Sequence, residues 1–155
     1  MTAPAYQPVT RAENRAIQGP RPGTQTLLNV ILMHTMLRGA RSGGIYANRT
    51  VRFGKSLSLH SAGRACDVMV PATNGVATTA GRQLGDELFL RCIAAAEQCG
   101  ICEVIWWDKR WTSAGVKPYK HTNHRDHVHI GQTIDMASRT DPQLGVWFNH
   151  FLFER

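Results

Sequence analysis

Four of the chain's seven histidines, His121, His124, His127 and His129, crowd together with Asp126 among them. Neutral imidazole is the commonest side-chain metal ligand, and mixed His/carboxylate sets suit zinc. Residues 127–132 (HVHIGQ) read as a strand, so alternation puts His127 and His129 on one face, with Asp126 just ahead where the chain can turn it inward. A metal needs a further donor from elsewhere. Residues 58–67 (SLHSAGRACD) supply His60 and Asp67 across a glycine-containing turn, so that a loop residue and a strand residue can converge on one ion.

These side chains must be positioned by elements that the sequence also marks. Residues 24–38 carry apolar side chains nearly all around the helical wheel, which predicts a well-buried helix stopped by Gly39. Short β-prone runs follow at 45–53 and 65–70. Residues 78–98 place Leu84, Leu88, Cys92 and Ala95 on one stripe before Gly100, which predicts an amphipathic helix lying on a sheet. Residues 102–107 (CEVIWW) form the next strand, a polar basic connection leads to the 127–132 strand, and 144–153 close the chain as a packed helix or strand. One of Trp106 and Trp107 must face inward; the other is free to line a groove. The order of elements predicts an α+β fold with a small, mainly antiparallel sheet and flanking helices. Residues 1–23, with Pro4, Pro8, Pro20 and Pro22, read as an N-terminal arm carrying one short helical turn at TRAENRAI, leaving 24–155 as a single domain.

At 155 residues, 43% of them hydrophobic, the chain has enough apolar side chain for one ordinary core. The longest apolar stretch, 26–37, is far short of the roughly 20 residues a membrane span requires. The first residues hold no continuous apolar segment of the kind a secretory signal needs, so synthesis in the cytoplasm is expected. A formal charge of +7 favours polyanionic partners, but the basic residues are scattered, which fits a diffuse steering field better than a nucleic-acid arm. Cys99 and Cys102 have CxxC spacing without a second pair, and they straddle a helix end and a strand start; small buried thiols are the expectation, with a Cys66–Cys92 bridge left open.

Two segments together carry a resemblance. SLHSAGRACDVMV resembles the SxHxxGxAxD segment of the zinc peptidases that include D-Ala-D-Ala carboxypeptidases, VanY- and VanX-type enzymes and phage L-alanyl-D-glutamate endolysins, relatives of the hedgehog amino-terminal domain. HRDHVHI resembles that group's second segment, in which an acid stands three residues before the last histidine ligand. Ser58, His60, Gly63, Ala65 and Asp67 match the first pattern, Asp126 and His129 the second, and the likeness spans about residues 36–132.

The resemblance implies a hedgehog-like fold and zinc held by His60, Asp67 and His129, with a position left open for water. It implies Asp126 as general base and Arg41, in the G-x-R-S-like run Gly39-Ala40-Arg41-Ser42, as the cation facing the developing oxyanion. Arg64 is the substitute for that cation, and His127 either orients substrate or supports the site. The expected function is zinc-dependent hydrolysis of bacterial peptidoglycan stem peptides by a monomer of the phage-endolysin type, as an endopeptidase or a D,D-carboxypeptidase, acting on the cell wall without nucleic acid or membrane insertion. The alternatives are a non-catalytic zinc-containing wall-binding module and a metal-dependent nuclease.

Overall fold

The computed structural model describes residues 2–51 and 54–155. Thr10 caps the first short helix, α1 (Arg11–Ala16), by accepting from the backbone N–H of Glu13. The second helix, α2, runs Pro22–Met33, two residues earlier at its start than the apolar pattern indicates because proline is pre-set for a first helical turn. It also stops five residues sooner than expected. His34 turns extended, accepts the N–H of Met36 on its own Nδ1, and stacks on Phe153 with ring centroids 3.9 Å apart, diverting 35–37 into a 3₁₀ turn. Leu27, Leu28 and Ile31 are buried as expected, whereas Met33 is 83% exposed, so α2 has an open side.

Strand β1 is Arg41–Gly44, upstream of the run expected at 45–53. Residues 45–51 carry no strand, and Arg52 and Phe53 lie outside the described residues. Strand β2 (Ala65–Met69) falls where the sequence puts it. A small hairpin of β3 (Ala72–Thr73) and β4 (Val76–Ala77) turns through Asn74 and Gly75, both at positive φ. The amphipathic segment forms α3 (Thr79–Ala94), capped by Thr78, followed by α4 (Ala96–Cys99), which ends at Gly100 in the left-handed conformation. Then come β5 (Ile101–Trp106), a hairpin of β6 (Lys109–Thr112) and β7 (Gly115–Pro118) within the expected connection, β8 (His127–Gln132), α5 (Ile134–Ala137) and α6 (Leu144–Phe153).

Among the described residues, six of these strands form one wholly antiparallel sheet in the order β1-β2-β8-β5-β6-β7. The fold is α+β, with helices flanking the sheet. Pleating divides its two faces by chemistry. Cys66, Val68, Val104, Trp106, Val128 and Ile130 point into the helix-side core with Leu27, Ile31, Leu88 and Phe148. Their alternates Asp67, Met69, Glu103, Ile105, His127 and His129 line a cavity on the opposite face. All four cysteines are buried free thiols, so no Cys66–Cys92 bridge forms.

A bulge corrects the phase of β5. Ile101 opposes Gln132 and Glu103 opposes Gly131, which leaves Cys102 as the extra residue. Without it, strict alternation from the core residue Ile101 would send Glu103 into the helix-side core. With it, Cys102 packs against Leu59 and Ala65 and Glu103 turns toward the cavity.

Candidate metal centre

Each position of the 58–67 segment has a structural job. Ser58 accepts from the N–H of His60 and starts a 3₁₀ turn, Leu59–Ala62, that carries the His60 side chain over the sheet. Gly63 ends the turn at φ 65 and passes against the carbonyl of Gly19, where a Cβ would collide. Ala65, fully buried beneath Leu59, leaves room for the turn, and β2 then aims Asp67 upward. Register does the rest: Asp67 opposes His129, which opposes Ile105, which opposes Arg110, a single row across four strands.

The three donors meet. His60 Nε2 lies 3.1 Å from Asp67 Oδ1 and 3.1 Å from His129 Nδ1, and the third edge, His129 Nδ1 to Asp67 Oδ1, is 3.3 Å. The outer ring nitrogens show which tautomers are held. His60 Nδ1 lies 2.7 Å from the Ile45 carbonyl oxygen and His129 Nε2 3.0 Å from Glu103 Oε1, partners that can only accept. Both imidazoles therefore carry their hydrogen outward and turn a lone pair inward, beside a carboxylate oxygen. Three inward lone pairs this close repel unless a cation or a proton sits among them. His60, Asp67 and His129 thus form a group able to hold a metal ion.

The electrostatics agree. In the metal-free protein burial opposes charge on His129, but hydrogen bonds to Asp67 and Glu103 outweigh it and push its pKa up to about 9. Burial alone would raise the Asp67 carboxyl; its close contacts with His129 and His60 instead hold it well below the usual carboxylate range. Glu103 is likewise pulled down against its burial by His129 and Arg110.

Asp126 and His127 also line the cavity. Asp126 Oδ1 is 2.7 Å from His127 Nδ1, and His127 Nε2 is 3.8 Å from Asp67 Oδ2, so the imidazole stands between Asp126 and the ligand group. His124 packs on His127 with centroids 4.7 Å apart; burial first, and the neighbouring His129 and His127 next, drive its pKa down to about 2. It stays neutral. His121 lies on the cavity wall beside the Tyr119 ring.

The arginines sort differently from expectation. Arg41 opposes Met69 across β1 and β2, which puts it on the cavity face of the sheet, but it is exposed and outside the cavity lining. Arg64 is fully buried and fully used: it donates to Glu13 Oε1 at 2.7 Å, to the Gln132 carbonyl at 3.0 Å and to the Gln7 carbonyl at 2.6 Å. It cannot serve an oxyanion. The arginines that line the cavity are Arg49 and Arg110. Arg110 is committed to Glu103 at 2.6 Å, whereas among the described residues Arg49 has no acidic partner.

Neither tryptophan of the 106–107 pair lines the cavity. Trp106 is buried against Gly85 and donates from Nε1 to Asp86 at 2.8 Å. Trp107, at φ 58, lies between Arg82, 3.8 Å from the ring centroid, and Arg125 at 5.2 Å. Residues that pattern reading does not assign to the site are Glu103, Arg110 and Tyr6. The available signal for Glu103 is one acid inside the otherwise apolar CEVIWW strand.

The cavity measures about 770 Å³, with the His60, Asp67 and His129 group among its lining residues. A family model described as "VldE, C-terminal domain" matches residues 18–130, which include His60, Asp67, Asp126 and His129. Neither the curated proteins nor the solved structures contain a match to the chain.

Proposed function

The chain belongs to the VldE C-terminal-domain family, and from that premise we propose that it is a zinc peptidase hydrolysing stem peptides of bacterial peptidoglycan, of the phage-endolysin type. The observation that carries this reading is the triangle of inward lone pairs on His60, Asp67 and His129 beside a hydrogen-bonded Asp126–His127 pair in an open cavity. Ligand atoms about 2.0–2.1 Å from a tetrahedral ion lie about 3.3 Å apart, close to the edges found, and three protein donors leave a position for water as catalytic zinc sites do. Zinc bound there would act as a Lewis acid on the peptide carbonyl and make water a nucleophile near neutral pH.

The chain's own residues supply the remainder. Glu103 and the Ile45 carbonyl fix the tautomer and aim of the two histidines. Asp126 holds the Nδ1–H of His127, leaving Nε2 toward the ligand group as proton acceptor, and the proton passes to the leaving amine. In this reading Asp126 is the base's charged partner, a refinement of the role that spacing alone gives it. With Asp67, Glu103 and Asp126 all engaged, Arg49, without an acidic partner among the described residues, gives the cavity a cation for a substrate carboxylate or for charge on the scissile carbonyl, alongside Arg41 at the sheet edge. The intact Asp126–His127 pair favours catalysis over a zinc module that only binds.

The test incubates the protein with purified peptidoglycan and with DNA, with and without a chelator, and identifies new amino termini. Chelator-sensitive release of stem-peptide termini is expected. Intact peptidoglycan, or cut DNA, would reject the reading.

A further inference from the structure

The N-terminal arm enters the cavity. Tyr6, outside the family-matched residues, lines it and packs on the Leu59, Ala65 and Cys102 cluster under the His60 turn. The arm is pinned here: Arg64, buried just ahead of β2, donates to the Gln7 carbonyl at 2.6 Å, and the Ile134 N–H donates to Gln7 Oε1 at 2.8 Å. The Arg110 guanidinium stands over the Tyr6 ring, 5.0 Å from its centroid. Arg110 grips Glu103 Oε2 at 2.6 Å, and Glu103 Oε1 takes the Nε2–H of His129, 3.0 Å away. An unbroken series of contacts thus joins an arm residue to a ligand of the metal site.

We propose that Tyr6 is a positioning residue for the metal: its ring face holds Arg110, Arg110 fixes Glu103, and Glu103 fixes the tautomer and direction of His129. The inference rests on the zinc reading of His60, Asp67 and His129. The physics is ordinary. A guanidinium over an aromatic face is attracted by the ring quadrupole, and partners that orient a ligand from outside set metal affinity as strongly as any contact short of the ligands. Arg110 is partly open to water, so without the ring it gains freedom to leave Glu103, and a loosened Glu103 lets the His129 ring turn.

Packing and positioning separate by substitution. Tyr6→Phe keeps the ring; Tyr6→Leu keeps apolar contact with Leu59 and Cys102 but has no quadrupole. Zinc affinity, measured by competition with a chromophoric chelator, is expected to be near wild type in Tyr6→Phe and about fivefold weaker in Tyr6→Leu, with both metal-free variants unfolding at similar temperatures. Arg110→Ala is expected to weaken zinc by about tenfold, and Tyr6→Leu added to it should change little more, because the ring then has nothing to hold. Wild-type affinity in Tyr6→Leu, equal losses in Phe and Leu, or full additivity with Arg110→Ala would overturn the inference and leave the zinc site standing. A wild-type chain that takes up no zinc would overturn both.

Discussion

At the scale of single residues, His60, Asp67 and His129 behave as one object, because each closes an edge of the same triangle. His60→Ala removes one corner, and the prediction is loss of both metal and activity; full zinc occupancy by elemental analysis would remove His60 from the ligand set. Asp126 and His127 are a second object, joined at 2.7 Å. Asp126→Ala is expected to keep the fold and the zinc while slowing turnover by roughly 10²- to 10⁴-fold. His127→Ala should cost about as much, and the double variant little more, since groups that act as a unit are not additive. Additive losses would show two independent roles. The oxyanion cation is decided the same way. Arg41→Ala, Arg49→Ala and Arg64→Ala are compared in kcat at saturating zinc, and the arginine that acts in the transition state shows a loss of about a hundredfold or more. Arg64→Ala should lose stability instead, by about 1–3 kcal/mol, because it strands the buried Gln132 carbonyl and leaves Glu13 to Arg21.

At the scale of elements, the site depends on two local devices that differ in how visible they are in the sequence. The turn that carries His60 was legible: Ser58 and Gly63 mark its cap and its left-handed end. Gly63→Ala is expected to destabilise the chain by more than about 1 kcal/mol, from the positive φ together with the clash on Gly19, and to weaken zinc by displacing His60; an alanine variant with unchanged affinity would uncouple turn and site. Strands β2, β5 and β8 and helix α3 were also legible, since apolar runs and periodicity report burial, whereas 144–153 was legible as a packed element of either kind and is the helix α6. The bulge at Cys102 was not. It changes which face Glu103 occupies without any glycine or proline to announce it, and so the residue that orients His129 reads as a stray acid. The β6–β7 hairpin escaped for a related reason. Lys109 and Val116 share the face of Trp111 yet are exposed, so the apolar alternation breaks and Trp111 is left as its one buried marker. The early stop of α2 depends on His34 meeting Phe153 from the far end of the chain, a contact no local pattern contains.

At the scale of the whole molecule, the metal group and the fold are linked through protons. In the metal-free chain the His129 pKa is raised to about 9, against about 6.5 for an unfolded histidine. A raised value means that the stabilisation from His129⁺ with Asp67 and Glu103 is fully present below about pH 6.5 and is lost as pH climbs through 9. Asp67 is the same pair seen from the other side: its depressed pKa makes that stabilisation present above the ordinary carboxylate value, near pH 4, and lost on acidification. Metal-free protein should therefore be most stable between about pH 4 and 6.5 as far as this group decides. A metal reverses the trend, because it needs the same Nδ1 lone pair of His129 and must displace the proton. Between pH 6.5 and 9 its apparent affinity should rise by up to tenfold per unit, and binding to the folded state alone adds RT ln(1 + [Zn]/Kd) to stability. The gap in melting temperature between zinc-loaded and chelator-treated protein should accordingly widen steadily from pH 6.5 to 9. A gap that stays constant across that window would mean that no proton leaves on metal binding, and His129 would then have to be struck from the ligands.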